Sequence, residues 1–324
     1  MKVKSSTLYS LLYALIVFIY SIFLLPFYSY GDQTHYRNFY ENCFYSGSDL
    51  EQQLDCYRFT LSTQEPIYFF IVKFANPLMS KDVFIALSNS FLAFILVKLI
   101  YKYYNKTTKI HFFIILILTN YYTNVLFFAA ERLKFAFIFL VLTLLLNSKK
   151  SILITRFLMV FTHLQMILAL LVIMLSEFFS KNSEISLNKR RLNKIILVTI
   201  GIISLVAVYL QLQTQLTAKF EGSKELASES GKGLVGFIKA LAIMVLTFLS
   251  TKKFLPLVIQ LPLLIAATLL GASRIIIMNI ILYIITVVYY KKQSDHILTL
   301  VLIYFSYKTV GFIENIYKYG SGYL

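Results

Sequence analysis

The stretch VFIALSNSFLAFILVKLI, residues 83–100, decides the fold. Lys98 is its sole charge, and the run is long enough to cross a bilayer's hydrocarbon core as one α-helix. It does not alternate apolar and polar residues, as the strands of an outer-membrane barrel would. Comparable runs recur at Leu8–Phe27, Ile110–Phe128, Leu133–Leu146, Ile195–Leu212, Leu234–Ser250, Phe254–Gly271, Ile275–Tyr290 and about 296–313. The expected fold is therefore an all-α integral membrane protein: a polytopic helical bundle forming one domain over 1–324, with about ten or eleven crossings. Charged residues are 14% of the chain and apolar ones 58%, which leaves no room for a separate soluble domain.

The net charge of +16 would suggest nucleic acid in a soluble protein. Here the lysines gather in short loops between apolar runs, so they report topology and no nucleic-acid partner is expected. Lys2 and Lys4 put the N-terminus in the cytoplasm. The first run has no small-residue cleavage site after it and reads as an uncleaved helix. Lys98, Lys102, Lys106 and Lys109 mark the next cytoplasmic loop, Lys149 and Lys150 another, and Lys181, Lys189, Arg190, Arg191 and Lys194 a third.

These anchors place residues 28–64 outside, with a second outer loop at 213–232. Between 65 and 100 they allow one crossing, so Pro66–Met79 reads as a short interfacial or re-entrant helix. Ser151–Phe179 lies between two cytoplasmic anchors but is only about 43 Å of helix. It reads as a hairpin of half-helices with His163 near its tip, or else as one long tilted helix.

The 28–64 loop concentrates the polar chemistry. Asp32, Tyr36 and Tyr40 recur at i, i+4, i+8 and would share a helix face. A carboxylate with aromatic rings suits a sugar site; an interfacial amphipathic helix explains the same pattern equally well. Cys43 and Cys56, the two cysteines, both lie in this loop, and a disulfide between them is favoured if the loop is outside. Glu65 precedes Pro66 and reads as a helix cap within Ser62-Thr63-Gln64-Glu65, as a functional carboxylate, or as both.

Arg132 follows Glu131 at the outer turn before Leu133–Leu146. Arg274 stands in a nearly uncharged stretch. Both are candidates for binding phosphate, because guanidinium stays charged when desolvated. His163 has no neighbour at metal-ligand spacing, so no metal is expected, and it could serve as a base. No nucleotide-binding loop, dinucleotide motif or nucleophile elbow occurs.

Gly31-Asp32 with Tyr36 and Tyr40, Glu65-Pro66-Ile67-Tyr68, Glu131-Arg132 with Ala136, the His163 hairpin and Ser273-Arg274-Ile275 together resemble the EpsG-like branch of the Wzy-type O-antigen and exopolysaccharide polymerases. That resemblance covers most of the chain to about residue 290. It implies a GT-C-like membrane glycosyltransferase of the bacterial inner membrane, with 28–64 and 213–232 as periplasmic loops and its active site facing the periplasm.

The implied reaction polymerises undecaprenyl-diphosphate-linked oligosaccharide repeat units into surface polysaccharide and needs no cofactor. A chain-length regulator and a flippase are implied partners beside the lipid bilayer. In this scheme Asp32 is the preferred base, with Glu65 second and His163 assisting. Arg132 and Arg274 hold the diphosphate, and Tyr36, Arg37, Tyr40 and Tyr68 hold sugar. An O-antigen ligase and a non-enzymatic flippase or transporter are the alternatives.

Overall fold

The computed structural model describes residues 5–45, 47–63, 65–104, 109–181, 232–269, 272–291 and 295–323. Every regular element among them is helical. They fall into two compact units, Met1–Met166 with Val288–Leu324, and Ile167–Val287.

In the first unit α1 (Ser5–Leu24) packs chiefly on α5 (Lys81–Tyr103). Small residues allow the approach: Ser10, Ala14, Ser21, Ala86 and Ala93 are buried, and Asn89 Nδ2 donates to Ser21 Oγ at 3.0 Å. The opposite face of α1, with Leu8, Leu11, Leu12, Leu15, Ile19 and Phe23, is apolar and exposed, as a lipid-facing surface should be. Next come α6 (Ile110–Leu118), α7 (Tyr121–Phe128), α8 (Glu131–Leu145) and α9 (Lys149–Thr162). α8 packs between α5 and α9, and the last helix of the chain, His296–Tyr319, lies on α6 and α7.

In the second unit α10 (Ile167–Lys181) is followed by α11 (Lys232–Thr251), α12 (Leu255–Leu269) and α13 (Ala272–Lys291), whose C-terminal end returns to the first unit; His296–Tyr319 is α14. α12 packs on α10 and α11, and Asn279 of α13 donates to the Ala240 carbonyl. The expected span 195–212 and most of the expected loop 213–232 lie outside the described residues.

Four described helices are long and apolar enough to cross a membrane: Ser5–Phe27, Lys81–Tyr103, Arg274–Lys291 and His296–Tyr319. A fifth is formed if α6 and α7 count as one span bent by 51°. This is the architecture of a helical membrane protein. Among the described residues several of the expected apolar runs are broken or short. Asn120 caps α7, its side chain accepting the Tyr122 N–H, and so interrupts 110–128. The 151–179 run divides at His163. Pro66–Ala75, Leu164–Ser176, Val235–Thr251 and Leu255–Ala267 are apolar but only 10–17 residues long.

The 28–64 segment is not a bare loop. It forms α2 (Asp32–Asn42) and α3 (Leu50–Leu61), joined by the Cys43–Cys56 disulfide with 5.6 Å between Cα atoms. Asp49 and Gln52 make a reciprocal capping box that starts α3. The pair has a core: Phe39, Phe44, Tyr57, Tyr68 and Phe69 cluster ring to ring, four of them with no more than 1% of their surface exposed. α2 and α3 thus form a cap bound down on α4 (Pro66–Ala75).

Candidate functional site: a buried Glu65–Arg132–His163 cluster

Beneath this cap three ionisable side chains from distant parts of the sequence converge. Glu65 Oε2 accepts from Arg132 Nη1 at 2.8 Å. Glu65 Oε1 lies 2.7 Å from His163 Nδ1 and accepts the Leu164 N–H at 3.0 Å. All three side chains are nearly buried, at 12%, 10% and 4% exposed. Arg132 also engages Tyr36 of α2. The Tyr57 hydroxyl of α3 donates to the Glu65 carbonyl at 2.8 Å, so the cap fixes the backbone from which the carboxylate projects.

Local sequence explains each placement. Pro66 stops any helix from extending back through Glu65, which stands at the N-cap of α4 in extended conformation. Its carboxylate does not cap α4, as the sequence suggested, but reaches across to α8 and the α9 break. Arg132 opens α8. His163 follows the last residue of α9 with extended dihedrals, φ −153° and ψ 109°.

Electrostatics assign roles. Burial alone would raise the Glu65 carboxyl, but the His163 imidazole, the Arg132 guanidinium and the Leu164 N–H outweigh it and hold the group well below the usual carboxylate range. Such a carboxylate is a weak base and a strong orienting anion. Nδ1 is the ring nitrogen of His163 that meets Glu65. The cluster can orient an imidazole base, and it carries a guanidinium suited to an oxyanion.

The other candidates fall elsewhere. Asp32 is exposed at the start of α2, off its buried face, which is Gln33, Tyr36, Phe39 and Tyr40. Tyr36 is buried against Tyr68. Tyr40 donates to the Met79 carbonyl at 2.8 Å and, with Glu41, Asn76 and Leu78–Lys81, borders an open recess of about 550 Å³. Arg37 pairs with Asp82 at 3.0 Å and caps the Leu25 carbonyl. Tyr68 is fully enclosed. These rings are packed inside the cap, and only Tyr40 reaches the edge of an open surface. Arg274 is half-buried near the start of α13, in the second unit.

A second buried network was missed. Glu131 Oε1 accepts from Lys81 Nζ at 2.8 Å and Gln33 Nε2 at 2.9 Å, and Oε2 accepts from the Tyr68 hydroxyl at 2.9 Å. Lys81 also donates to Gln33 Oε1 at 2.5 Å, and Gln33 reaches the Phe128 carbonyl. One helical turn on, the fully enclosed Lys134 ammonium donates to Asn89 Oδ1 at 2.8 Å. The available signal was Lys81 and Lys134 lying within a turn of the ends of apolar runs, where an ionisable group needs a partner. No family model, curated protein or solved structure matches this chain.

Proposed function

We propose that this chain is a membrane glycosyltransferase that polymerises undecaprenyl-diphosphate-linked oligosaccharide repeat units at the periplasmic face of a bacterial inner membrane. The observation that carries the reading is the convergence of Glu65, Arg132 and His163 beneath a disulfide-tied cap. A disulfide fits an oxidising compartment, which supports an extracytoplasmic position for this end. The absence of nucleotide motifs from the sequence fits a donor already activated on a lipid.

The chemistry follows from the charges. An acceptor sugar hydroxyl attacks the anomeric carbon of the lipid-linked donor. The new C–O bond forms as the bond from that carbon to the diphosphate oxygen breaks, and the electron pair leaves with the diphosphate. The His163 imidazole takes the hydroxyl proton, Glu65 stabilises the imidazolium that results, and Arg132 meets the departing charge. This gives the base role to His163 in place of Asp32, because Glu65 holds His163 in one orientation while Asp32 stands in solvent. Arg274 remains a separate candidate for the diphosphate.

The test is a surface-polysaccharide gel of strains carrying Arg132→Ala or His163→Ala. Both should lose long chains and keep single capped repeat units. A normal ladder in both would defeat this mechanism. Polymer that is made but left unattached would point to a ligase. A reporter fused after Ser48 should read as extracytoplasmic; a cytoplasmic signal would overturn the orientation.

A further inference from the structure

From Lys149 to Lys181 the sequence contains neither Gly nor Pro, the residues that most often break a helix. Apolar, helix-compatible residues run on both sides of the interruption. Yet α9 stops at Thr162, one residue stands extended, and a 3-10 turn over Leu164–Met166 precedes α10. In apolar surroundings every N–H or C=O released from a helix costs several kcal/mol unless it finds another partner. One partner comes from far away in sequence: Glu65 Oε1 accepts both the Leu164 N–H and the His163 ring, while Arg132 anchors Oε2. Tertiary contacts to the Glu65 carboxylate thus engage both sides of the break.

We infer that Glu65 is a latch that keeps the α9–α10 helix open at His163. Without its carboxylate, residues 149–181 regain their local preference and close into one continuous helix, which withdraws His163 from Arg132. The conformational claim stands alone. That catalysis needs the latched form rests on the polymerase reading above.

The test uses spin labels at Leu153 and Leu171, introduced as cysteines into the full chain; both native cysteines are consumed in the disulfide. In a continuous helix these positions share a face and lie about 27 Å apart. The extended residue and the 3-10 turn depart from that geometry. The wild type should therefore show a distance different from that of a continuous helix, and Glu65→Ala a shift to about 27 Å.

Leu164→Pro is the control. The extended dihedrals of His163 are those that suit a residue before proline, and Leu164 opens the following turn, where proline is tolerated. Adding Leu164→Pro to Glu65→Ala should restore the wild-type distance. An unchanged distance in Glu65→Ala would show that the break is intrinsic and overturn the latch. A distance of about 27 Å in the double variant would show that the shift came from general collapse, which also overturns it. Neither distance depends on substrate, so failure of the polymerase reading would leave them standing.

Discussion

Glu131 and Arg132 are neighbours in sequence and head two buried networks of opposite character. Both oxygens of Glu131 are taken by donors from α2, α4 and α5, and the network is closed by Lys81, Gln33 and Tyr68. Glu65, the carboxylate that Arg132 meets, instead binds one edge of an imidazole and one N–H of a helix break. The first arrangement satisfies charge and ties four helices together. The second gathers a guanidinium, an imidazole and a helix break around one carboxylate. Two ion pairs of the same length at the same helix end should therefore carry different weights in stability and in chemistry.

The largest effect should come from the closed network. Glu131→Gln or Lys81→Met leaves a buried charge without its partner, a loss of about 3–5 kcal/mol. Thermal or SDS unfolding of purified protein in micelles should show it, and the Lys81→Met/Glu131→Gln pair should recover much of the loss. If neither single variant is destabilised, Glu131 is not the staple described. Next in size is the cap. Cys43 and Cys56 are 13 residues apart, and closing a loop near that length contributes about 3 kcal/mol. Reduction or Cys56→Ser should loosen α2 and α3, seen as faster amide exchange across residues 32–61, and lower polymer yield through Tyr57 and Glu65.

Arg132→Ala should cost less stability, about 1.5–3 kcal/mol for a hydrogen bond to a charged group, yet abolish long chains. That inverts the Glu131 result, and finding the same pattern for both residues would erase the distinction between the networks. The pH dependence sharpens it further. The folded-state pKa of Glu65 is depressed, so its contribution is fully present above the ordinary carboxylate value of about 4.3 and fades as pH falls below it toward the folded value. Below about pH 5 the stability gap between wild type and Glu65→Gln should shrink, as the carboxylate that meets Arg132 and His163 becomes protonated. A gap that grows over that acid range would mean the carboxyl is raised instead.

Part of this was legible in sequence. The apolar runs pointed to the helical membrane fold, and the paucity of charge elsewhere made Glu65, Arg132 and His163 conspicuous. Their grouping was not legible, because 67 residues separate Arg132 from Glu65 and 98 separate His163 from it, and no periodicity spans such gaps. Lys81 and Gln33 were passed over because each looks like an ordinary helix-end residue until its partner is known. The interruptions at Asn120 and His163 were hidden because neither carries Gly or Pro; polar side chains and a distant carboxylate supply what a breaker would have supplied locally.

The smallest effect concerns α2, where the helical face decides between two readings. Asp32, Tyr36 and Tyr40 at i, i+4, i+8 look like one stripe, but the buried face runs through Gln33, Tyr36, Phe39 and Tyr40. One position of rotation, about 100° on a helix, takes Asp32 out to solvent and brings Gln33 onto Glu131. Asp32→Asn should therefore leave stability and polymer length close to wild type, while Gln33→Leu, which strips one donor from Glu131 and an acceptor from Lys81, should destabilise the cap. A strain with Asp32→Asn that makes only single repeat units would show that the exposed carboxylate handles the acceptor, and would move the base from His163 back to the first loop.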